Sequence, residues 1–243
     1  MVFRDSVYAN MKADARVAIL EQIEAERDGE QVDYGLLRDV LAIFQEVGMG
    51  NLDRYEADFE DGLLADTSKY YTCKADAWIE GDTTPEYLVK AEESLKSEEE
   101  RVHRYLHVDT KPKLLRAAEA ELLVKHQQRL LEKENSGCAA LLQDNHKDDL
   151  ARMFRLFGRI PNGLNPMAEM FKKHVEGEGQ KLVAQASQAV EAKKNAAKEK
   201  SSGGGGAVVH HHHHQQQQQL ASVPRQRDQV GKPPLPNTNS FAA

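Results

Sequence analysis

Two histidines, His103 and His107, have a spacing that metal ligands can adopt. They lie four residues apart in a stretch of helical apolar spacing, and Glu100 precedes them by one turn. On one helix this spacing would turn both imidazoles to the same face, where they could bind zinc. A zinc site needs further ligands from elsewhere, and no glutamate stands between the histidines as the HExxH pattern of metalloproteases requires. The spacing favours solvated or capping histidines, with a metal-binding helical enzyme as the alternative.

Carboxylates are the second candidate chemistry. Glu56, Asp58, Glu60 and Asp61 lie close together, and three consecutive glutamates occupy residues 98–100. Paired carboxylates can act as general acid and base, but such groups are usually distinguished by burial or by a shared pocket. The helical spacing assigns all of these residues to polar faces. We therefore expect them to be solvated.

Basic and aromatic residues offer two further sites. Arg152, Arg155 and Arg159 form a stripe opposite the apolar face of their segment, which could bind phosphate but favours ion pairs, on the surface or with other helices. Trp78 and the pair at 70–71 are expected to pack with polar rims, not to form a ligand cage. Since no glycine-rich phosphate loop or nucleophile motif is present, the sequence predicts no catalytic, cofactor-binding or metal-binding residue and no cofactor.

Composition excludes several functional classes. The 243 residues carry a net charge of −7, and residues 1–200 alone carry −9, because the last 43 residues hold three basic side chains and one acidic one. This balance disfavours a nucleic-acid partner. The chain has no apolar run of membrane-spanning length. The two cysteines, Cys73 and Cys138, build no disulfide framework, and the amino terminus has no secretory pattern, so we expect a protein of the cytoplasm or nucleus.

Apolar residues recur at helical spacing through most of residues 1–200, without sustained period-two alternation. The pattern predicts an all-α fold. Leu114 to Leu131 reads as one helix, and Ser136 to Asn145 is ambiguous between helix and turn. The other stripes are Tyr8, Met11, Ala15, Ile19 and Ile23; Leu37, Val40, Leu41, Phe44 and Val47; Tyr55, Phe59, Leu63, Tyr70 and Ala77; Leu88, Ala91, Leu95, Val102 and Leu106; Leu150, Met153, Phe154 and Phe157; and Met170, Phe171, Val175, Leu182 and Ala186.

Helix ends have recognisable residues. Gly48 and Gly50 can adopt the left-handed conformation that ends a helix. Thr84 can cap the next long helix, with Pro85 at its first position. The polar face of that helix offers acid-to-base pairs four residues apart, from Glu86 to Arg104.

Residues 201–243 differ in composition from the rest. They contain a glycine run, five histidines at 210–214, five glutamines at 215–219 and the sequence PPLP at 233–236. Because large apolar side chains are scarce here, we expect a disordered tail. The histidines could bind nickel or zinc loosely, and PPLP could occupy a polyproline groove.

Four segments carry a family resemblance: AILEQIEAERDGEQVD (18–33), YEADFEDGLLADTSKYY (55–71), EYLVKAEESLKSEEERVHRYLH (86–107) and DDLARMFRLF (148–157). In order and spacing they resemble the amino-terminal region of cullins. GMGNLDRYEADFE (48–60) and ENSGCAALLQDN (134–145) are most similar to the plant and algal type that scaffolds Skp-cullin-F-box ubiquitin ligases.

The resemblance implies a helical solenoid of cullin repeats, which are five-helix bundles stacked end to end. Residues 1–108 would form a second repeat, 109–200 most of a third, and 201–243 the tail. Cullins are rigid, non-catalytic scaffolds in ubiquitin-dependent protein catabolism. Their partners are an adaptor with its F-box protein, a RING protein and cullin-binding regulators.

From the resemblance we expect that the regions of a cullin that dock the adaptor and the RING protein have no counterpart in these residues, and no family site residue is carried over. We expect a cullin-like scaffold fragment that binds an adaptor weakly or not at all and self-associates through exposed repeat ends. A fragment or misjoined gene model without an independent role is the alternative.

Overall fold

The computed structural model describes residues 3–202, and the regular structure in this range is helical. The all-α class expected from the sequence is confirmed. The predicted tail, with its histidine run and PPLP, lies outside the described residues except for its first two. The α-helices are α1 (Ala9–Arg27), α2 (Tyr34–Glu46), α3 (Asp53–Tyr55), α4 (Asp61–Gly81), α5 (Thr84–Arg104), α6 (Thr110–Glu119), α7 (Gln127–Glu132), α8 (Cys138–Gln143), α9 (Lys147–Phe157) and α10 (Leu164–Ser202).

Three π-helical segments extend these helices. Phe3–Tyr8 precedes α1, Glu56–Glu60 joins α3 to α4, and Ala120–Val124 follows α6. The packing discussed below lies within one unit, Met1–Val190; a second unit begins at Glu191. The predicted boundary between residues 108 and 109 stays a prediction.

Buried side chains in this unit form two clusters. The first core contains Tyr8, Ile19, Ile23, Leu37, Leu41, Phe44, Tyr55, Phe59, Leu63, Val102, Tyr105, Leu106 and Leu114. The second core contains Tyr71, Ala75, Ile79, Tyr87, Leu88, Ala91, Leu95, Leu115, Ala118, Leu122, Leu123, Leu130, Leu131, Cys138, Leu141, Met153, Leu156, Phe157 and Ile160. Helices α4 and α5 contribute to both.

The helix that runs from α3 through α4 buries a residue at every fourth position, from Tyr55 to Ile79. Because an α-helix has 3.6 residues per turn, a step of four moves the buried position by about 40° around the axis. The buried line therefore winds around the helix. Its first part, ending at Leu63, faces the first core, and its last part, starting at Tyr71, faces the second. Thr67 is buried at the crossover.

Helix α5 makes the same change in the opposite direction. Its first half packs into the second core through residues such as Leu88 and Leu95, and Val102 near its end packs into the first core. Glu98 lies between them and is buried. The antiparallel helices α4 and α5 thus belong to both cores. The polar side chains of Thr67 and Glu98 lie on them at the boundary between the two cores.

The start of α5 and the turn after α2 each differ from the sequence prediction at one residue, whereas the left-handed Gly50 is confirmed. Thr83, not Thr84, caps α5, and it forms a capping box with Glu86. Thr84 is buried, and its hydroxyl donates to the carbonyl of Leu130 (3.0 Å). After α2, Met49 and Gly50 adopt positive φ, whereas Gly48 does not. A Cβ on Gly48 would lie 2.1 Å from the carbonyl oxygen of Asn51, so this glycine permits a close approach.

Outside α10, three residues of the predicted stripes are exposed. Ala77 faces solvent because the buried line of α4 steps from residue 75 to 79. Phe154 is exposed because α9 is buried through Met153, Leu156 and Phe157, and one residue turns the helix about 100° away from Met153. Met11 is exposed, and Tyr8, one turn earlier, supplies the core contact.

Helix α10 is the least packed part of the unit. Gly163 and Leu164 follow the turn at Asn162, which has a φ of 57°, and Leu164, Met167 and Met170 pack against the second core. From Phe171 onward the apolar side chains are exposed, Leu182 by 65%. The predicted apolar stripe of this helix exists but is uncovered in the described residues.

Candidate functional site

The polar side chains at the crossover of α4 and α5 form a buried ion network. We call it the junction network; its members are Glu26, Arg27, Thr67, Tyr71, Glu98, Arg101 and Tyr105. The network lies where the first core meets the second, and it joins α1, α4 and α5.

Glu98 is the centre of the junction network. Its Oε1 accepts from Nε of Arg27 (2.9 Å) and from the hydroxyl of Tyr71 (2.7 Å). Its Oε2 lies 2.5 Å from Nη1 of Arg101. That nitrogen is not aligned for a hydrogen bond, so the contact is an ion pair. The side chain of Glu98 is 0% exposed, and those of both arginines are 2% exposed.

Neighbouring groups complete the pairing of both guanidinium groups. Arg27 also donates to Thr67 (2.6 Å) and Asp66 (3.2 Å), and it stacks against the rings of two tyrosines of α4. Arg101 donates from Nε to Glu26 (2.9 Å), which also accepts from the hydroxyl of Tyr105 and from Arg104. Each buried charge therefore has an opposite charge beside it, as a buried ion pair requires.

The surroundings determine the charge state of each of these groups. Burial would raise the pKa of Glu98, but the positive charges of Arg27 and Arg101 outweigh this and lower it. Burial, and then the negative charge of Glu98, raise the pKa of Tyr71 well above its usual range. Burial would lower the pKa of Arg101, but Glu98 raises it. At neutral pH Glu98 is thus a carboxylate and Tyr71 a phenol, which suits a structural ion network and leaves neither poised for proton transfer.

An open cleft of about 730 Å³ lies above the junction network. Its walls come from the end of α1 with the loop after it, from the first residue of α2, from α4 and from α5. Tyr34, Tyr70 and Trp78 line it, and each ring carries a cation from the same walls: Arg104, Lys74 and Lys90, respectively. The expectation that Trp78 and Tyr70 only pack is incomplete, because both rings also border a cleft.

His103 and His107 do not share a helix. Helix α5 ends at Arg104, where Tyr105 leaves helical geometry with a φ of −153°. His103 is exposed on the last turn, whereas Nδ1 of His107 accepts from the backbone of Asp109 (3.2 Å). Glu100 pairs with Arg104 instead. Within residues 3–202 no group of three potential metal-binding side chains comes together.

Two predicted solvated carboxylates are buried instead. Glu98 is one, and Glu60, paired with Lys113 at 2.6 Å, is the other. Asp58 is half-buried and accepts from Tyr8 (2.9 Å) and Lys12 (2.6 Å). These contacts fix the π-helical segment at 56–60 against its neighbours.

The arginine stripe, two residues of which lie in α9 and the third just after it, forms ion pairs with other helices, which is one of the two interpretations that the sequence allowed. Arg152 and Arg155 both contact Glu92 of α5 (2.9 Å each), and Arg159 contacts Glu119 of α6 (2.7 Å). Glu92 was expected to pair within α5.

None of the described helices combines the length and the apolarity needed to cross a membrane.

Sequence signals for the junction network existed. Glu98 stands three residues after Leu95 and four before Val102, on the apolar stripe of its own helix. Arg27 likewise stands four residues after Ile23. A charged residue at a stripe position indicates a buried, paired charge. Only the fold shows that these two residues, 71 apart in sequence, meet.

Comparisons with known proteins give a family for this arrangement. The family model of the cullin alpha solenoid domain matches residues 1–220. Cullin-1 of Oryza sativa subsp. japonica is 51% identical over 81% of this chain, and Cullin-2 of Arabidopsis thaliana is 48% identical over 77%. Cullin-3A of Arabidopsis thaliana is 34% identical over 75%. The matches cover 26%, 25% and 25% of these relatives, so the chain spans about a quarter of their length.

Proposed function

This chain belongs to the cullin family, and on that premise we propose that it is a non-catalytic scaffold segment of a cullin-RING ubiquitin ligase. Its role would be to hold a fixed distance between the substrate and the ubiquitin-charged enzyme, in the cytoplasm or nucleus. One observation carries the mechanical part of this proposal: α4 and α5 each contribute to both cores.

A spacer must resist bending, and shared helices are a means to that end. Bending between the two cores would require α4 and α5 to bend at Thr67 and Glu98, where the junction network holds them to α1. Close-packed interiors transmit strain because they compress little. We infer that the junction network opposes bending where α4 and α5 pass from one core to the other.

We further propose that the ligase is of the Skp-cullin-F-box type. The relatives named Cullin-1 and Cullin-2 are 51% and 48% identical to this chain, whereas the one named Cullin-3A is 34% identical. In that setting the partners would be an adaptor with its F-box protein and a RING protein, bound by parts of a cullin other than this segment.

A segment exchange tests both proposals. The matching part of rice Cullin-1 is replaced by the 196 residues of this chain that align with it, and the same residues are placed in Arabidopsis Cullin-3A as the control. We expect the rice chimera to retrieve adaptor and RING protein and to support ubiquitin transfer within about threefold of the unmodified protein. A well-folded rice chimera that retrieves both partners but transfers no ubiquitin would refute the spacer role. Equal performance of the two chimeras would refute the assignment to one ligase type.

A further inference from the structure

We propose that the cleft above the junction network binds a basic segment of a partner protein, through arginine or lysine side chains. The cleft is open to solvent, and its volume of about 730 Å³ suffices for two or three side chains of a peptide. This inference does not depend on the role in a ubiquitin ligase.

Charge is the first argument for a cationic ligand. Every cation that lines the cleft already has a carboxylate partner: Lys74 pairs with Asp28, Lys90 with Asp82 and Arg104 with Glu26 and Glu100, and the two arginines of the junction network pair with Glu98. Two carboxylates in the same walls, Glu30 and Glu93, make no ion pair with any described residue. Both are exposed. The carboxylates of the cleft walls that lack an ion-pair partner are therefore available to a cationic ligand.

The aromatic walls are the second argument. The cation nearest each ring lies 5.1 Å from the centroid of Tyr34, 5.1 Å from that of Tyr70 and 5.6 Å from that of Trp78. Cations within about 6 Å of an aromatic ring are attracted to its face. Lysine and arginine also pack their aliphatic stems on apolar surface while the charge stays solvated. The same cleft is lined by partly exposed rings, which suit the aliphatic stem of such a side chain, and by two unpaired carboxylates, which suit its charge.

An anionic ligand fits less well. It would have to displace carboxylates that already hold Lys74, Lys90 and Arg104 at 2.7–3.2 Å. It would also meet Glu30 and Glu93, which no cation of the described residues pairs with.

The full chain allows a direct test, because Trp78 is its only tryptophan and lies in the cleft. Two peptides serve as probes, one with four arginines separated by glycines and one with four glutamates in their place. We expect the arginine peptide to change the tryptophan emission with a dissociation constant at least tenfold below that of the glutamate peptide. No change with either peptide, or tighter binding of the glutamate peptide, would overturn the proposal.

Charge variants locate the binding. The double substitution Glu30→Gln and Glu93→Gln should weaken arginine-peptide binding roughly three- to tenfold, as expected for two solvent-accessible ion pairs. The matched control is Glu169→Gln with Glu176→Gln, which removes the same charge from exposed positions on α10. We expect the control to stay within twofold of the parent chain. Equal weakening by both pairs would show general attraction to an acidic surface and refute the cleft as the site.

Discussion

Helices α5 and α10 both show helical apolar spacing in the sequence, yet they end up in opposite environments. Leu88 of α5 is 0% exposed, and Leu182 of α10 is 65% exposed. Helix α5 has α4, α6 and α9 as neighbours, whereas α10 beyond Phe171 has no apolar side chain buried among the described residues up to 190. An apolar stripe thus indicates which face can be buried, and a neighbouring element decides whether it is.

The two helices also differ in how they place charge. Helix α5 carries Glu98 on its buried stripe and neutralises it with arginines from α1 and from its own next turn. On α10, Lys181 and Glu178 form an ion pair at the surface. Substitutions on α5 should therefore cost far more than equivalent ones on α10.

The largest effect is expected at the centre of the junction network. Glu98→Gln leaves two buried guanidinium groups without their shared carboxylate, and breaking such a buried pair costs about 3–5 kcal/mol. Urea unfolding of the chain followed by circular dichroism measures this. Glu99→Gln, one residue along and partly exposed, is the control and should cost less than about 1 kcal/mol. Similar costs for both would mean that burial of Glu98 does not matter.

Acid should remove the same stabilisation. The pKa of Glu98 is lowered in the folded protein by Arg27 and Arg101 in spite of burial, from an ordinary value of 4.5. A carboxyl group whose pKa is lowered by folding stabilises the fold at pH values above its pKa in the unfolded chain. This stabilisation is lost as the pH falls through its pKa in the folded protein. The difference in unfolding free energy between the parent chain and Glu98→Gln should be constant near pH 7 and shrink below pH 4.5. A difference that grows on acidification would contradict this.

Two leucine substitutions test the comparison directly. Leu88→Ala should lower the unfolding free energy by about 2–5 kcal/mol, because it leaves a cavity in the second core. Leu182→Ala removes the same atoms from an exposed position and should stay within about 0.5 kcal/mol. Urea unfolding at low protein concentration gives both values. A cost above about 1.5 kcal/mol for Leu182→Ala would mean that another surface covers α10 in solution. The predicted self-association requires that this surface belongs to a second copy of the chain. Sedimentation would show whether the chain is then a dimer.

The cap of α5 should give the smallest effect. Thr83→Ala removes the side-chain acceptor of the capping box and should cost about 1 kcal/mol, measured as above. Thr83→Ser keeps the hydroxyl and serves as the control. If the serine variant loses as much as the alanine variant, the stabilisation does not come from the hydroxyl.

Helix class and most helix bounds follow from the sequence, because apolar period and terminal residues are local signals. The helix from residue 53 to 81 and the capped start of α5 are examples. Glu98 and Glu60 were expected to be solvated because they are charged, but both are buried. Their position beside core residues in the sequence indicates burial, whereas their charge indicates exposure. The cleft could not be predicted, because its walls come from four helices whose arrangement depends on contacts such as Arg27 to Glu98, 71 residues apart.

Amide hydrogen exchange on the full chain tests the central claim that α4 and α5 form one stiff unit shared by both cores. If they do, amides near Thr67 and Glu98 exchange as slowly as those near Leu63 and Leu95, at rates set by global unfolding. Amides of α10 between residues 171 and 190 should exchange at least about 100-fold faster. Fast exchange confined to residues 66–68 and 97–99 would instead reveal a hinge between the cores and contradict the account.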